Sequence, residues 1–414
     1  MTTTTLLIAG MPAAGHVNPT LPVVTELVRS GVDVVYLCDA EFADRVRDTG
    51  ARFVPYPEGV LTARDIAAAT RAGSSVGVVA KVLRACSALV PFVVEQARAL
   101  GPAALMHDSN ALWGRLAATA VNLPTISFMT TFLVGTGAVK ALTVRENLAV
   151  VGPTLRDMPD ALRARRALVK EFGAGAVPDT PMLPLRGDLT LFPIPEELQA
   201  PDPRLDATCR FTGPTTTTPD TDAGPTPLDP ELAAHLSGGD PVVLVSLGTL
   251  HDGGAAFFRD CGAALGDLPV RVLLATGHGV DPADLGTVPP NTLARRSVPQ
   301  LAVLRQASVF VTHGGMNSAL EGIGRGVPLV VVPQQVEQLL IGRAIAERGA
   351  ALVLRQHLTH RPVPPADLRA AVERVLGDRG MAKAAEEMGR RFRAEGGAVR
   401  AAELVREMLD EHAG

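Results

Sequence analysis

Two short apolar runs, Thr4–Ala9 and Val242–Ser246, each lead into a glycine-containing loop and then a helix-forming stretch. That order recurs through both halves of the chain and narrows the fold more than any other feature. Further strands are expected at Val32–Cys38, Ala103–His107 and Thr125–Phe128 in the first half, and at Val270–Ala275, Ser308–Thr312 and Val327–Val332 in the second. Between them the pattern predicts helices at Glu41–Asp48, about Val76–Leu100 and Leu112–Val121, and a charged helix over about Ala382–His412. Asn18 suits an N-cap and Pro19 a first helical turn, with Gly31 after the helix end. Apolar strands alternating with helices imply parallel, doubly wound sheets, so the expected class is α/β.

A chain of 414 residues is too long for one ordinary core. Residues 212–230 read TGPTTTTPDTDAGPTPLDP, a Thr/Pro-rich run that holds neither helix nor ladder easily. The reading is a domain over 1–211, a linker over 212–230 and a domain over 231–414. The last helix, about 382–414, is a candidate to pack back on the first domain. With 47% hydrophobic and 20% charged residues, the chain reads as globular. A net charge of −4 advertises neither nucleic acid nor an anionic membrane, so anionic ligands must be held by local devices. The apolar run Leu6–Ala9 is far too short for a signal peptide or a span, so no stable membrane insertion is expected. Cys38, Cys86, Cys209 and Cys261 show no C-x-x-C spacing, which fits a reducing, cytoplasmic setting. No metal site emerges: the D-x-D of Asp220 and Asp222 lies in the linker, not after a strand.

The first loop, Gly10-Met-Pro-Ala-Ala-Gly15-His16, follows the first strand, where open α/β sheets place their ligands. It lacks the lysine of a phosphate-binding loop and the glycine fingerprint of a dinucleotide site, which disfavours a nicotinamide dehydrogenase. What remains is His16 at the head of a helix. A neutral imidazole there either serves as general base or bonds only its own loop. Asp108, at the carboxyl end of another apolar strand, either orients that ring or caps the next helix.

The strongest local signal is Val309-Phe-Val-Thr-His313-Gly-Gly-Met-Asn317-Ser318-Ala-Leu-Glu321. A strand, two glycines and a helix start make a phosphate cradle. Gly314 and Gly315 let backbone N–H groups approach an anion, His313 can donate to it, and Glu321 can accept from a ribose hydroxyl pair. A plain glycine turn capped by Asn317 is the alternative. Ser246-Leu-Gly248-Thr249 offers further donors after the first strand of this half. Glu337 and Gln338 either read sugar hydroxyls or are a solvated loop acid and amide.

These pieces, in this order, resemble the family 1 glycosyltransferases, and within them the bacterial macrolide-glycosyltransferase type. The matching residues run through Gly15-His16-Val-Asn-Pro19, His107-Asp108-Ser109, Trp113-Gly-Arg115, Phe211-Thr-Gly-Pro214 and Ser246-Leu-Gly-Thr249. They continue through Val298-Pro-Gln300, His313 to Ser318 with Glu321, Gly326-Val-Pro328 and Pro333 to Gln338. The resemblance covers nearly the whole chain. It implies the GT-B fold, two Rossmann-like domains facing across a cleft. It implies an inverting, metal-independent transfer from a UDP-sugar or dTDP-sugar, UDP-glucose favoured, to a small apolar acceptor, with no other cofactor. His16 would be the base and Asp108 its partner. His313, Gly315, Met316, Asn317, Ser318, Ser246, Gly248 and Thr249 would surround the diphosphate, Glu321 the ribose, and Glu337 with Gln338 the sugar. The stretches 57–80 and 130–180, with Ala, Val, Leu and Phe, suit an apolar aglycone. One position departs: Ser297 stands where the family has an aromatic residue stacking on the base, leaving base recognition to the backbone around Val298, beside Gln300. An epimerase or a non-catalytic nucleotide-sugar-binding protein of the same fold is the alternative.

Overall fold

The computed structural model describes residues 4–71, 75–133, 141–179, 183–216, 228–248, 254–359 and 361–412. The Asp220 and Asp222 pair and Thr249 lie outside them. The chain forms two compact units. One comprises Met1–Leu133, Val150–Thr216 and Glu395–Gly414, and the other Val134–Ala149 and Thr217–Ala394.

The first unit holds β1 (Thr5–Ala9), β2 (Asp33–Cys38), β3 (Arg52–Pro55), β4 (Ala104–Asp108), β5 (Thr125–Phe128), β6 (Leu189–Phe192) and β7 (Cys209–Phe211). They form one parallel sheet in the order β3-β2-β1-β4-β5-β6-β7. The second unit holds β8 (Val242–Ser246), β9 (Arg271–Ala275), β10 (Thr292–Arg295), β11 (Ala307–Thr312), β12 (Leu329–Val331) and β13 (Ala351–Val353). These form a parallel sheet in the order β10-β9-β8-β11-β12-β13. In each sheet the winding reverses beside the first strand, between β1 and β4 and between β8 and β11. The carboxyl ends there diverge and leave a crevice, the usual ligand position of such sheets.

Helices cover both sheets because the central strands are apolar on both faces. Ser75–Leu100 is, among the described residues, the helix whose length and composition would allow it to cross a membrane. Its Leu83, Cys86, Leu89 and Val93 are instead buried in the first unit's core, and it packs on helix Leu112–Val121. The four cysteines are free and buried.

Three local readings need correction. The helix expected to start at Asn18 is two pieces, a single turn Ala14–Val17 and then Leu21–Arg29. Asn18 ends the first, and Thr20 starts the second with Pro22 in its first turn. The expected helix over 382–412 is also two, Arg379–Ala394 and Gly397–His412. Gly396 (φ 94°) and Gly397 (φ 53°) separate them in the left-handed region that glycine tolerates. The Gly397 amide donates to the Thr212 carbonyl at 2.6 Å, and a Cβ there would lie 2.8 Å from the Pro214 carbonyl oxygen. The final helix then packs on Leu21–Arg29 within the first unit. The start of the 212–230 run is not loose: Thr212 and Thr215 are buried, and the Thr215 hydroxyl donates to the Pro19 carbonyl at 2.7 Å.

Candidate active site

In the first unit, His16 follows β1 and Asp108 ends β4, so the two neighbouring strands deliver them to one crevice. His16 Nδ1 lies 2.8 Å from Asp108 Oδ2, with side-chain exposures of 23% and 3%. The other carboxylate oxygen accepts from the Asn110 amide at 2.8 Å, which fixes the carboxyl plane. An ionised carboxylate only accepts, so Nδ1 carries the proton and Nε2 the lone pair. That is the tautomer a base needs. Asp108 therefore orients the ring; it does not cap helix Leu112–Val121, whose N-cap is Ala111, and its other oxygen steadies only the turn at Asn110.

Thr130 joins this pair, its Oγ1 3.0 Å from His16 Nδ1. It stands two residues past the end of β5, the next strand in the sheet. The sequence signal was available only as position: Thr130 sits beyond a strand's carboxyl end, as His16 and Asp108 do. His16 does not stand at the head of a helix as expected, but in the last turn of the four-residue helix Ala14–Val17. His107 points into the core, where a Cβ on Gly114 would lie 2.7 Å from His107 Cβ. Burial holds its imidazole down at about 4, so it stays neutral, with Nδ1 donating to the Asp108 carbonyl at 3.0 Å.

In the second unit, the loops after β8 and β11 supply the other candidates. His313 is pinned between two glycines. A Cβ on Gly315 would meet His313 Nε2 at 2.4 Å, and one on Gly248 would meet Cε1 at 2.7 Å. Gly248 (φ 80°) and Gly314 (φ 79°) also need the left-handed backbone. Gly315 caps helix Met316–Gly324 and so brings no side chain to the first-turn amides of Met316, Asn317 and Ser318. Those amides point where an anion would sit. The Met316 side chain is buried, so this residue can contribute only its backbone. Ser246 Oγ accepts from the Gly248 amide at 3.4 Å, which steadies the neighbouring turn.

Glu321 lies one turn along that helix. Gln300 Nε2 donates to its Oε2 at 2.6 Å, so these two candidates form one unit. Burial pushes the Glu321 carboxyl up to about 7, against the lowering effects of the Gln300 bond and of Arg325. An acid raised in the folded state stabilises the fold below its unfolded value, and that contribution is lost as pH climbs through the folded value. Between about 4.5 and 7 the folded protein therefore binds the extra proton. Glu321→Gln removes this cost. Its thermal midpoint should exceed the wild type's by about 2–4 °C at pH 8 and match it near pH 4. Equal midpoints at both pH values would contradict the buried acid.

Ser297 is exposed and Val298 half-buried just before helix Gln300–Leu304, with no aromatic ring at either position. Glu337 and Gln338 start helix Val336–Ala346. Gln338 is buried, and its Oε1 accepts from the amides of Gln334 and Gln335 at 2.7 and 3.2 Å. That carbonyl oxygen is committed to the cap, so only the amide nitrogen of Gln338 can reach a sugar. Gln334 Nε2 in turn donates to the Val332 carbonyl at 3.0 Å and faces His357 Nδ1 at 2.7 Å, a brace the sequence did not reveal. The described residues hold no group of three or more His, Cys, Asp or Glu arranged for a metal ion.

The family model described as UDP-glucoronosyl and UDP-glucosyl transferase matches residues 187–389. Across almost the whole length, the chain is 30% identical to the demethyllactenocin mycarosyltransferase of Streptomyces fradiae, covering 96% of this chain and 85% of that one. It is 31% identical to the oleandomycin glycosyltransferase of Streptomyces antibioticus, covering 95% and 88%. The solved structure of the kitacinnamycin glycotransferase superposes with a TM-score of 0.80 at 27% identity, covering 99% and 100%. With its two parallel-sheet domains and this ancestry, the chain belongs to the UDP-glucoronosyl and UDP-glucosyl transferase family and is a glycosyltransferase of the GT-B fold.

Proposed function

We propose that the enzyme moves a sugar from a nucleotide diphosphate sugar, UDP-glucose favoured, to a hydroxyl of a small apolar acceptor such as a macrolide, polyketide or phenol. The observation that carries this reading is the His16–Asp108 pair, 2.8 Å apart; an ionised carboxylate there favours the proton on Nδ1 and leaves the lone pair on Nε2. Nε2 takes the acceptor proton as the acceptor oxygen attacks C1 of the sugar. The bond from C1 to the diphosphate oxygen breaks on the opposite face, so the anomeric configuration inverts. The electron pair leaves on the diphosphate, where His313 and the amides of Met316, Asn317 and Ser318 receive the charge without a metal ion. Glu321 holds the ribose and Glu337, with the Gln338 amide, the sugar hydroxyls. The relatives named for demethyllactenocin and oleandomycin support a natural-product acceptor of the macrolide class.

Ser297 favours one variation. With no ring to stack on, uracil has no advantage over thymine there, so a dTDP-sugar is the alternative donor. The test is transfer to a panel of macrolides, with the product's anomeric configuration read by NMR. An α-linked donor should give a β-linked product. A retained configuration would exclude direct displacement, and epimerised nucleotide sugar formed without acceptor would replace the transferase reading by an epimerase.

A further inference from the structure

Seven of the eight exposed large apolar side chains among the described residues lie on one helix, Val144–Phe172. From Val150 onward this helix belongs to the first unit. Val151, Leu155, Met158 and Leu162 are 46%, 65%, 36% and 44% exposed. Their spacing of four, three and four places them on a single stripe roughly 16 Å long. The opposite face is the packed one: Ala161, Ala164 and Leu168 are buried. The helix therefore has two apolar faces, and among the described residues only one is covered.

The acids look toward helix Ser75–Leu100. Asp160 Oδ2 accepts from Arg84 at 2.5 Å, and Glu171 Oε2 accepts from Ser87 at 2.6 Å. A Cβ on Gly77 would lie 2.9 Å from Asp157 Oδ2. The cations lie along one side of the exposed stripe. Arg156 and Arg163, 58% and 74% exposed, pair with Asp157 and Asp160 at 2.7 and 3.6 Å, whereas Arg166 and Lys170 are exposed with no ion pair among the described residues.

We propose that this face docks the enzyme reversibly on an anionic lipid bilayer. An apolar stripe edged with arginine is what lies in the interface of such a surface, its side chains entering the acyl boundary and its cations meeting the headgroups. A second copy of the chain fits less well. A stripe of roughly 16 Å by 10 Å offers far less than the ~800 Å² per partner of a stable protein interface. Antiparallel pairing would also set one arginine flank against its equal. Pro153 and Pro159, inside the helix, interrupt the regular surface that interlocking side chains require. A fluid lipid surface demands no such complement.

The test is cosedimentation of the full chain with vesicles of equal parts phosphatidylglycerol and phosphatidylcholine, against vesicles of phosphatidylcholine alone. Binding is expected only to the anionic vesicles and should weaken with added salt. The double variant Arg166→Gln, Lys170→Gln should lower the partition coefficient about 30-fold, each cation near the surface being worth about 1 kcal/mol. Leu155→Ser with Leu162→Ser should abolish binding while the circular dichroism melt is unchanged. No sedimentation, or equal binding to neutral vesicles, overturns the proposal. So does a wild-type dimer in light scattering that the serine variant dissolves, which would make the face a contact between copies. A raised acceptor KM for that variant without vesicles would make it part of the acceptor site and overturn the proposal too.

Discussion

In His16→Ala, kcat is expected to fall by about 10²–10⁴-fold, with nucleotide binding unchanged. Asp108 and Thr130 both meet Nδ1, at 2.8 and 3.0 Å, which directs Nε2 to the proton-accepting role. The alanine variant loses the base but keeps every group of the second unit. Asp108→Asn probes the same arrangement by tautomer. Its carboxamide would donate to Nδ1, move the ring proton to Nε2 and remove the lone pair from the reacting side. A loss of about 10³–10⁴ is expected, by analogy with the carboxylate of hydrolase triads. Because the two residues act as one device, the double variant should lose little more than either single variant. Wild-type turnover in His16→Ala, or full additivity in the pair, would remove this dyad from the chemistry.

The second large effect is expected at His313. Its alanine variant should lose about 10²–10³-fold in kcat, the usual result of deleting one donor to a developing anion, together with donor affinity. Gly315→Ala offers an independent route to the same state. The added methyl carbon would stand 2.4 Å from His313 Nε2, closer than non-bonded atoms approach, so the ring must leave its place. Gly248 leaves little room on the other side, since a Cβ there would lie 2.7 Å from the same ring. Gly315→Ala should therefore reproduce His313→Ala, and adding it to His313→Ala should cost little more. If Gly315→Ala bound and turned over donor normally, the pinned ring would not be the donor group.

The parts of the fold legible in the sequence were those buried on two sides. β5, β8 and helix Leu112–Val121 fall at their expected boundaries, and β1, β4 and β11 within a residue of theirs. The edge strands β3, β7, β10 and β13 were not read. Each is three or four residues long and only partly buried, so none carries the continuous apolar run that marks a central strand. Helix Val144–Phe172 was hidden for a different reason: Pro153 and Pro159 normally end a helix, and here two prolines lie inside one.

Site residues divide in the same way. His16 and Asp108 were legible because each follows an apolar strand, and the sheet order that makes those strands neighbours brought them together. Thr130 and His357 carry no motif and became visible only through their contacts. Gln338 shows the converse, since its motif position does not reveal that its carbonyl oxygen is taken by the helix cap. The helix break at Gly396 and Gly397 depends on a close approach to residues nearly two hundred positions earlier, which no local pattern encodes.

The most direct test of the account is calorimetric titration of wild type and His313→Ala with UDP, UDP-glucose, dTDP and dTDP-glucose, without added metal. The account predicts saturable binding of at least one of these nucleotides to the wild type, weakened by at least tenfold in the variant, and the preferred base would name the donor class. No binding of any of the four, or equal binding by both proteins, would contradict the donor site assigned to the loops after β8 and β11.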